Sequence, residues 1–232
     1  MENFNIQYHI TLPAGKKLFF TFNFDVAKME LSDKIPDSPP SWTKLEFNQC
    51  PHCPLTVDSH PYCPLSVKLV NIIEQFKDLK SYEDIQLEVI KEIRTIYKKT
   101  SLQEALSAMM GLVIPTSGCP ETAYFKPMAR YHLPLASLDE TIYRASAMYM
   151  LAQYFVKRSG KSPDLDFKGL KKIYKNMQML NSAVAERIRA ASKADSSINA
   201  LVLLDVFTMI LPTAIEDSLV EIQYLFSAYL KS

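Results

Sequence analysis

Residues 5–24 read NIQYHITLPAGKKLFFTFNF. Segments 5–12 and 18–24 are rich in aromatic and β-branched residues, and the first alternates apolar with polar, so two strands are predicted around the turn PAGKK. A short third strand is expected near Lys28–Leu31. Further on, YEDIQLEVI (82–90) places Ile85, Leu87 and Val89 in alternation, and IRTIYKK (93–99) follows it. These two strands and the hairpin can share one antiparallel sheet.

The remaining chain reads as helix. One helix is expected from Pro64, with Val67, Val70, Ile73, Phe76 and Leu79 at helical spacing. Beyond Ser101 helices are predicted over 102–114, 120–131, 138–158, 166–193, 197–211 and 216–230. Ser101 with Glu104, and Ser137 with Glu140, have capping-box spacing. Breaks are expected at Pro115 with Gly118, at Pro134, at Gly160 with Pro163, at an Asp195-Ser196 cap, and at Pro212. The class is α+β: a small N-terminal antiparallel sheet followed by a mostly helical bundle. Its parts are a β-hairpin region (1–32), a linker and cysteine-rich segment (33–64), a helix plus two strands completing the sheet (65–100), and a helical bundle (101–232), in one compact domain. No strands alternate with the later helices, which argues against a Rossmann-like nucleotide site.

Composition narrows the function classes. The 232 residues are 48% hydrophobic and 22% charged, with net charge +1. That balance gives no electrostatic case for nucleic acid or an anionic membrane. Five glycines and no Gly-rich phosphate motif disfavour a phosphate loop. The opening MENFNIQYHITLPAGKK lacks a basic region leading into an apolar one, so no signal peptide is expected. No run of about 18 apolar residues predicts a membrane span. A cytoplasmic protein is expected, with cysteines reduced, metal-bound or catalytic.

The four cysteines are Cys50, Cys53, Cys63 and Cys119, and each is followed by proline. A CxxC pair can turn both sulfurs to one side and chelate an ion; Cys63 is near in sequence, and Cys119 must arrive through the fold. Four thiolates suit zinc or an iron–sulfur cluster. Pro64 and Pro120 read as first helical residues, which puts Cys63 and Cys119 at N-caps, where the helix dipole favours thiolate. Zinc knuckles place glycine with positive φ after the second cysteine. Pro54 holds that position here and cannot adopt it, so the balance tips toward a cluster. His52, His60 and His132 are further candidate ligands, and His52 is also a candidate neighbour of the ligands.

Other readings of these residues carry less. CPHC (50–53) resembles the tetrad of DsbA-type thiol oxidoreductases, which needs a helix running through the second cysteine; LTVDSHP is a poor helix. Cys-Pro dipeptides also resemble haem-responsive motifs, with a histidine as second ligand. Residues 117–134 gather Cys119, Glu121, Lys126, Arg130 and His132, and a Cys119–His132 nucleophilic pair is conceivable; a helix start and a proline break explain the same stretch. Whether the protein is an enzyme stays open. The alternative is an interaction or scaffold protein whose cysteines brace the fold.

The strings QCPHCPL (49–55), YCPL (62–65), SGCPETAYFKPMARYHLPLAS (117–137) and ETIYRASAMYMLAQYF (140–155) together resemble an uncharacterised bacterial family, a domain of unknown function. The resemblance spans most of the chain. It implies a bacterial protein and brings no catalytic residues.

Two more expectations concern charge. Helices 138–158 and 197–211 are apolar all round and so predicted central; their charges, Arg144 and Asp205, are expected to meet or share a polar network. In helix 166–193, Lys168, Lys171, Lys172, Lys175, Arg189 and Lys193 fall opposite Leu170, Ile173, Met177, Val184 and Ile188. This basic stripe reads as a solvated face or as a docking surface for an acidic protein partner.

Overall fold

Strands β1 (Phe4–Thr11), β2 (Lys17–Asp25), β3 (Glu30–Leu31), β4 (Asp84–Lys91) and β5 (Arg94–Ser101) form one antiparallel sheet in the order β3-β2-β1-β4-β5. This is a computed structural model. It describes residues 4–13, 15–33, 36–191 and 195–231, without the side chains of 195–197, 206–207 and 211–218. Register follows the alternation. Ile6 faces Phe22, Tyr8 faces Phe20 and Val89, and Ile10 faces Leu18 and Leu87, all on one buried face. A one-residue slip would turn that whole set to solvent, so the pattern fixes the pairing. On the other face His9 and Glu88 pair at 2.8 Å. The β5 edge carries Arg94, Lys98 and Lys99, charges that discourage pairing with another chain.

Among the described residues the α-helices are mostly placed by apolar stripes. They are α1 (Pro64–Phe76), α2 (Leu102–Val113), α3 (Lys126–Arg130), α4 (Leu138–Arg158), α5 (Lys168–Ala191), α6 (Asp195–Glu221) and α7 (Ser227–Leu230). The α+β class stands. Helix α1 seals the sheet, with Phe76 stacked on Phe20 at 5.4 Å between centroids. Helix α6 packs along α5 and α2. Both expected capping boxes are present, at Ser101 with Glu104 and at Ser137 with Glu140. No helix among the described residues is long and apolar enough to cross a membrane.

Several boundaries differ from expectation. The helix expected over 120–131 is a 3-10 helix, Pro120–Phe125, followed by the five-residue α3. The helix expected from 166 begins at Lys168, after Phe167 at φ +57°. There the Asp164 carboxylate accepts from the N–H of Gly169 at 2.7 Å and of Asp166 at 3.0 Å. Pro212 does not break the chain. α6 runs through it to Glu221, and residues 223–230 are a 3-10 turn and the short α7. A proline at 212 leaves the Thr208 carbonyl without its helical donor; Gln178 Nε2 of α5 donates to that carbonyl at 2.9 Å. The expected cap at Asp195 and Ser196 lies outside the described side chains.

The prediction that α4 is central fails beyond its first half. Its buried residues end at Tyr149, and Leu151, Tyr154 and Phe155 are exposed. Arg144 and Asp205 also find partners of their own. Arg144 donates to the carbonyls of Met128 and Tyr131 at 3.1 and 3.0 Å, closing the end of α3. Asp205 accepts from Asn181 at 3.1 Å and Thr208 at 2.9 Å. On α5, Lys168, Lys172, Lys175 and Arg189 are exposed and Lys171 is half-buried, while Lys193 lies outside the described residues. Lys168 pairs with Asp166 at 2.8 Å, and Arg189 pairs with Glu186.

Candidate functional site

The cysteine-rich segment leaves the body of the protein and returns through a narrow neck. Lys44 and Tyr62 form an isolated β-bridge, Cys63 N–H donates to Thr43 O at 2.8 Å, and Leu45 N–H donates to Pro61 O at 3.0 Å. Inside the neck the chain tightens again where Cys53 N–H donates to Cys50 O at 3.0 Å. That turn is the local geometry a CxxC needs to bring two sulfurs together. No helix forms between Cys53 and Pro64, so a thiol-oxidoreductase helix is absent there.

Cys63 and Cys119 share one backbone conformation, φ −67° with ψ 119° and φ −70° with ψ 124°, each ahead of a proline at the first position of a helix. The second loop is fixed from inside. Ser117 Oγ and Thr122 Oγ1 both donate to Ile114 O at 2.8 Å, and Cys119 N–H donates to Ser117 Oγ at 3.3 Å. Gly118 turns at φ +87°, in the left-handed region open to glycine, and a Cβ there would stand 3.9 Å from Pro64 Cβ. The two Cys-Pro junctions are therefore neighbours across 55 intervening residues of chain.

The CxxC loop reaches the same place. His52 Nε2 stands 3.4 Å from the Glu121 carboxylate, and Asn176 Nδ2 of α5 donates to that carboxylate at 3.3 Å. All four thiols are free and within electrostatic reach of one another. Burial, then the sulfurs of Cys63, Cys119 and Cys53, push the Cys50 thiol up to about 12, with Arg187 pulling the other way. Burial likewise pushes Cys119 up to about 11, against the N–H groups of Glu121 and Thr122 that draw it down. The expectation that the helix N-terminus would favour thiolate at Cys119 is thus reversed. A six-residue 3-10 turn offers little dipole, and burial outweighs it.

Arg187 is the residue the sequence reading missed. It is 2% exposed, and its guanidinium donates to the carbonyls of Trp42 at 2.9 Å, Lys44 at 2.7 Å and Leu45 at 2.9 Å. Those carbonyls belong to the 3-10 turn Ser41–Thr43 and the neck residues that follow it. Burial pulls the guanidinium down, while the sulfurs of Cys63, Cys50 and Cys53 hold it up. Among the described residues, this buried cation meets carbonyl dipoles and no carboxylate. One signal was available in the sequence: Arg187 stands inside the apolar stripe of α5, between Val184 and Ile188, not on the basic face.

The histidines separate. Both ring nitrogens of His52 are buried, and neither makes a hydrogen bond; the 3.4 Å approach to Glu121 is an ion-pair distance without hydrogen-bond alignment. Ser66 Oγ, one turn into α1 from Cys63, is also buried and unbonded. His60 is exposed and contacts Ser59 Oγ at 3.0 Å. His132 is carried under the sheet, with Nε2 at 2.5 Å from the Tyr8 hydroxyl. It pairs with Tyr8 there and has no nucleophilic contact with Cys119. Its neighbours in the loop are structural too. Lys126 bonds Glu30 at 2.7 Å and Lys28 O at 2.8 Å, and Arg130 lies over the Phe4 ring at 4.2 Å.

Among the described residues, no three or more His, Cys, Asp or Glu side chains are arranged to hold a metal ion as they stand. What is in place is a convergence: two Cys-Pro junctions in contact, a CxxC turn beside them, a buried guanidinium, and unbonded histidine nitrogens. No curated protein and no solved structure matches the chain. One family model does, over residues 6–227, and on that match the chain belongs to the family described as domain of unknown function DUF6901.

Proposed function

We propose that the protein binds a metal centre through Cys50, Cys53, Cys63 and Cys119, in a redox, sensing or structural role in the cytoplasm. The observation that carries this reading is Arg187, a buried guanidinium with no carboxylate partner among the described residues, beside three of the four thiols. A tetrathiolate centre is anionic, and a buried cation needs a counter-charge. The unbonded nitrogens of His52, inside the CxxC turn, add to the fit. Without a metal, burial favours the protonated thiol at Cys50 and Cys119; ligation would release their protons and draw the sulfurs together. An iron–sulfur cluster is preferred to zinc because Pro54 cannot take the backbone conformation of a zinc knuckle. Haem is the weaker reading, since His132 is engaged by Tyr8 and His60 faces solvent.

Anaerobic purification followed by metal analysis and absorption spectroscopy tests this. A broad band near about 400 nm with bound iron supports a cluster, and stoichiometric zinc in a colourless protein supports a single ion. A sharp Soret band would indicate haem. Protein free of metal after expression in iron- and zinc-replete medium would overturn the proposal and leave cysteines that only brace the fold.

A second reading concerns partners. Lys172 and Lys175 project from the exposed face of α5, which would suit an acidic protein partner. Pull-downs with Lys172→Glu and Lys175→Glu should lose such a partner, and wild-type capture should weaken with salt.

A further inference from the structure

Away from the thiols, helices α2 to α6 line a partly open cavity of about 290 Å³. Its walls are mainly apolar, with Phe125, Met128, Met177 and Leu204 among them. Polar side chains also reach the walls, Glu104 and His132 among them, and three others bear directly on a ligand. Asn181 is 2% exposed; its Nδ2 donates to Asp205 at 3.1 Å, and its Oδ1 has no hydrogen-bond partner. The amide cannot be turned to relieve this, because its oxygen would then face the Asp205 carboxylate. Tyr174 is buried, and burial pushes its hydroxyl up while the nearby Arg144 guanidinium pulls it down. Arg144 gives one terminal nitrogen, Nη2, to two carbonyls of the α3 region. Its remaining N–H groups make no hydrogen bond among the described residues.

Tyr174 and Asn181 are seven residues apart on α5. They are two turns apart on the same face, separated by about 10 Å along the axis. One end of the cavity thus offers a cation and a phenol, and the other offers a buried acceptor without a donor. An unpaired buried acceptor is costly, and a ligand that donates to it removes the cost. A pocket of this size and polarity is typical of small-molecule sites.

We infer that the cavity binds a small amphipathic carboxylate: an anionic head at Arg144 and Tyr174, an apolar body about 10 Å long, and a hydroxyl donor at the far end for Asn181. Isothermal titration calorimetry of the full chain with ω-hydroxyoctanoate, octanoate and octanol tests it. The hydroxy acid is expected to bind tightest. Octanoate should be weaker by about tenfold or more, since Asn181 Oδ1 stays unpaired, and octanol should be weaker again. Ala108→Phe, on the cavity wall, should abolish binding of all three. Arg144→Gln should weaken both acids and leave octanol unchanged. If a variant does not fold, the wild-type ranking decides. Absence of binding to the wild type, equal affinity for acid and alcohol, or binding unaltered in both folded variants would overturn the assignment. The last result would place the probes on the exposed apolar residues of α4.

Discussion

Arg187 and His132 are each buried at a cost, and each makes a prediction. Replacing Arg187 with methionine keeps the length and removes the charge, leaving the carbonyls of Trp42, Lys44 and Leu45 without their donor. The expected loss is on the order of 3 kcal/mol in urea unfolding; Arg187→Lys, which keeps a charge and three donors, should lose less. His132 is held down to about 3, first by burial and then by Lys91 and Arg144, against about 6.5 in the unfolded chain. Between those values the unfolded state binds the extra proton. This contribution is therefore complete above about pH 6.5 and drains as pH falls toward 3, at up to about 1.4 kcal/mol per pH unit. Titrating stability in wild type and His132→Gln checks it: the variant should be less acid-sensitive across that window, and identical slopes would refute the assignment. The cysteines were legible as a group because four Cys-Pro dipeptides are conspicuous. His132 was not legible as a partner of Tyr8, because 124 residues separate them and nothing local in either segment encodes the contact.

The elements were legible where a periodic pattern met a local stop. Alternation from Ile6 to Ile10 and the two capping boxes encode their own geometry, and the sheet and the starts of α2 and α4 follow. Pro212 was misread because its remedy is tertiary. A proline inside a helix crowds the carbonyl four residues back and leaves it without a donor; here Gln178 on α5 supplies a donor for Thr208. Gln178→Leu should accordingly cost about 1 kcal/mol and speed amide hydrogen exchange in α6 around Thr208. Unchanged exchange there would mean that α6 tolerates Pro212 for another reason. The extent of α4 was misread for a related cause. Residues of both halves are apolar, but only the half from Ile142 to Tyr149 has a neighbour to bury against.

At the scale of the molecule, the candidate site joins parts that are otherwise held separately. Cys50 and Cys53 lie in the loop beyond the Lys44–Tyr62 bridge, Cys63 starts α1 beneath the sheet, and Cys119 follows α2. Arg187 ties the neck of that loop to α5. Inside the loop, the Cys50–Cys53 turn is a backbone bond between its cysteines, and closure of four sulfurs on a metal would add to the hold of the neck and of the His52 approach to Glu121. Such binding is coupled to folding and adds stability by mass action. At a hundredfold excess over Kd the gain is about 2.7 kcal/mol, or roughly 5–10 °C in Tm for a chain of this size. Metal-loaded protein should melt higher than metal-free protein by that order. Cys50→Ser and Cys119→Ser should each remove most of the difference, because the centre needs ligands from both loops. Cys50→Ser should leave the metal-free Tm nearly unchanged, whereas Cys119→Ser puts a hydroxyl in the core and should lower it, so the difference between loaded and metal-free protein is the deciding readout. Equal melting of loaded and metal-free wild type would show that the four thiols are not joined by a metal. A difference that survives Cys119→Ser would confine the centre to Cys50, Cys53 and Cys63, with His52 as the remaining donor.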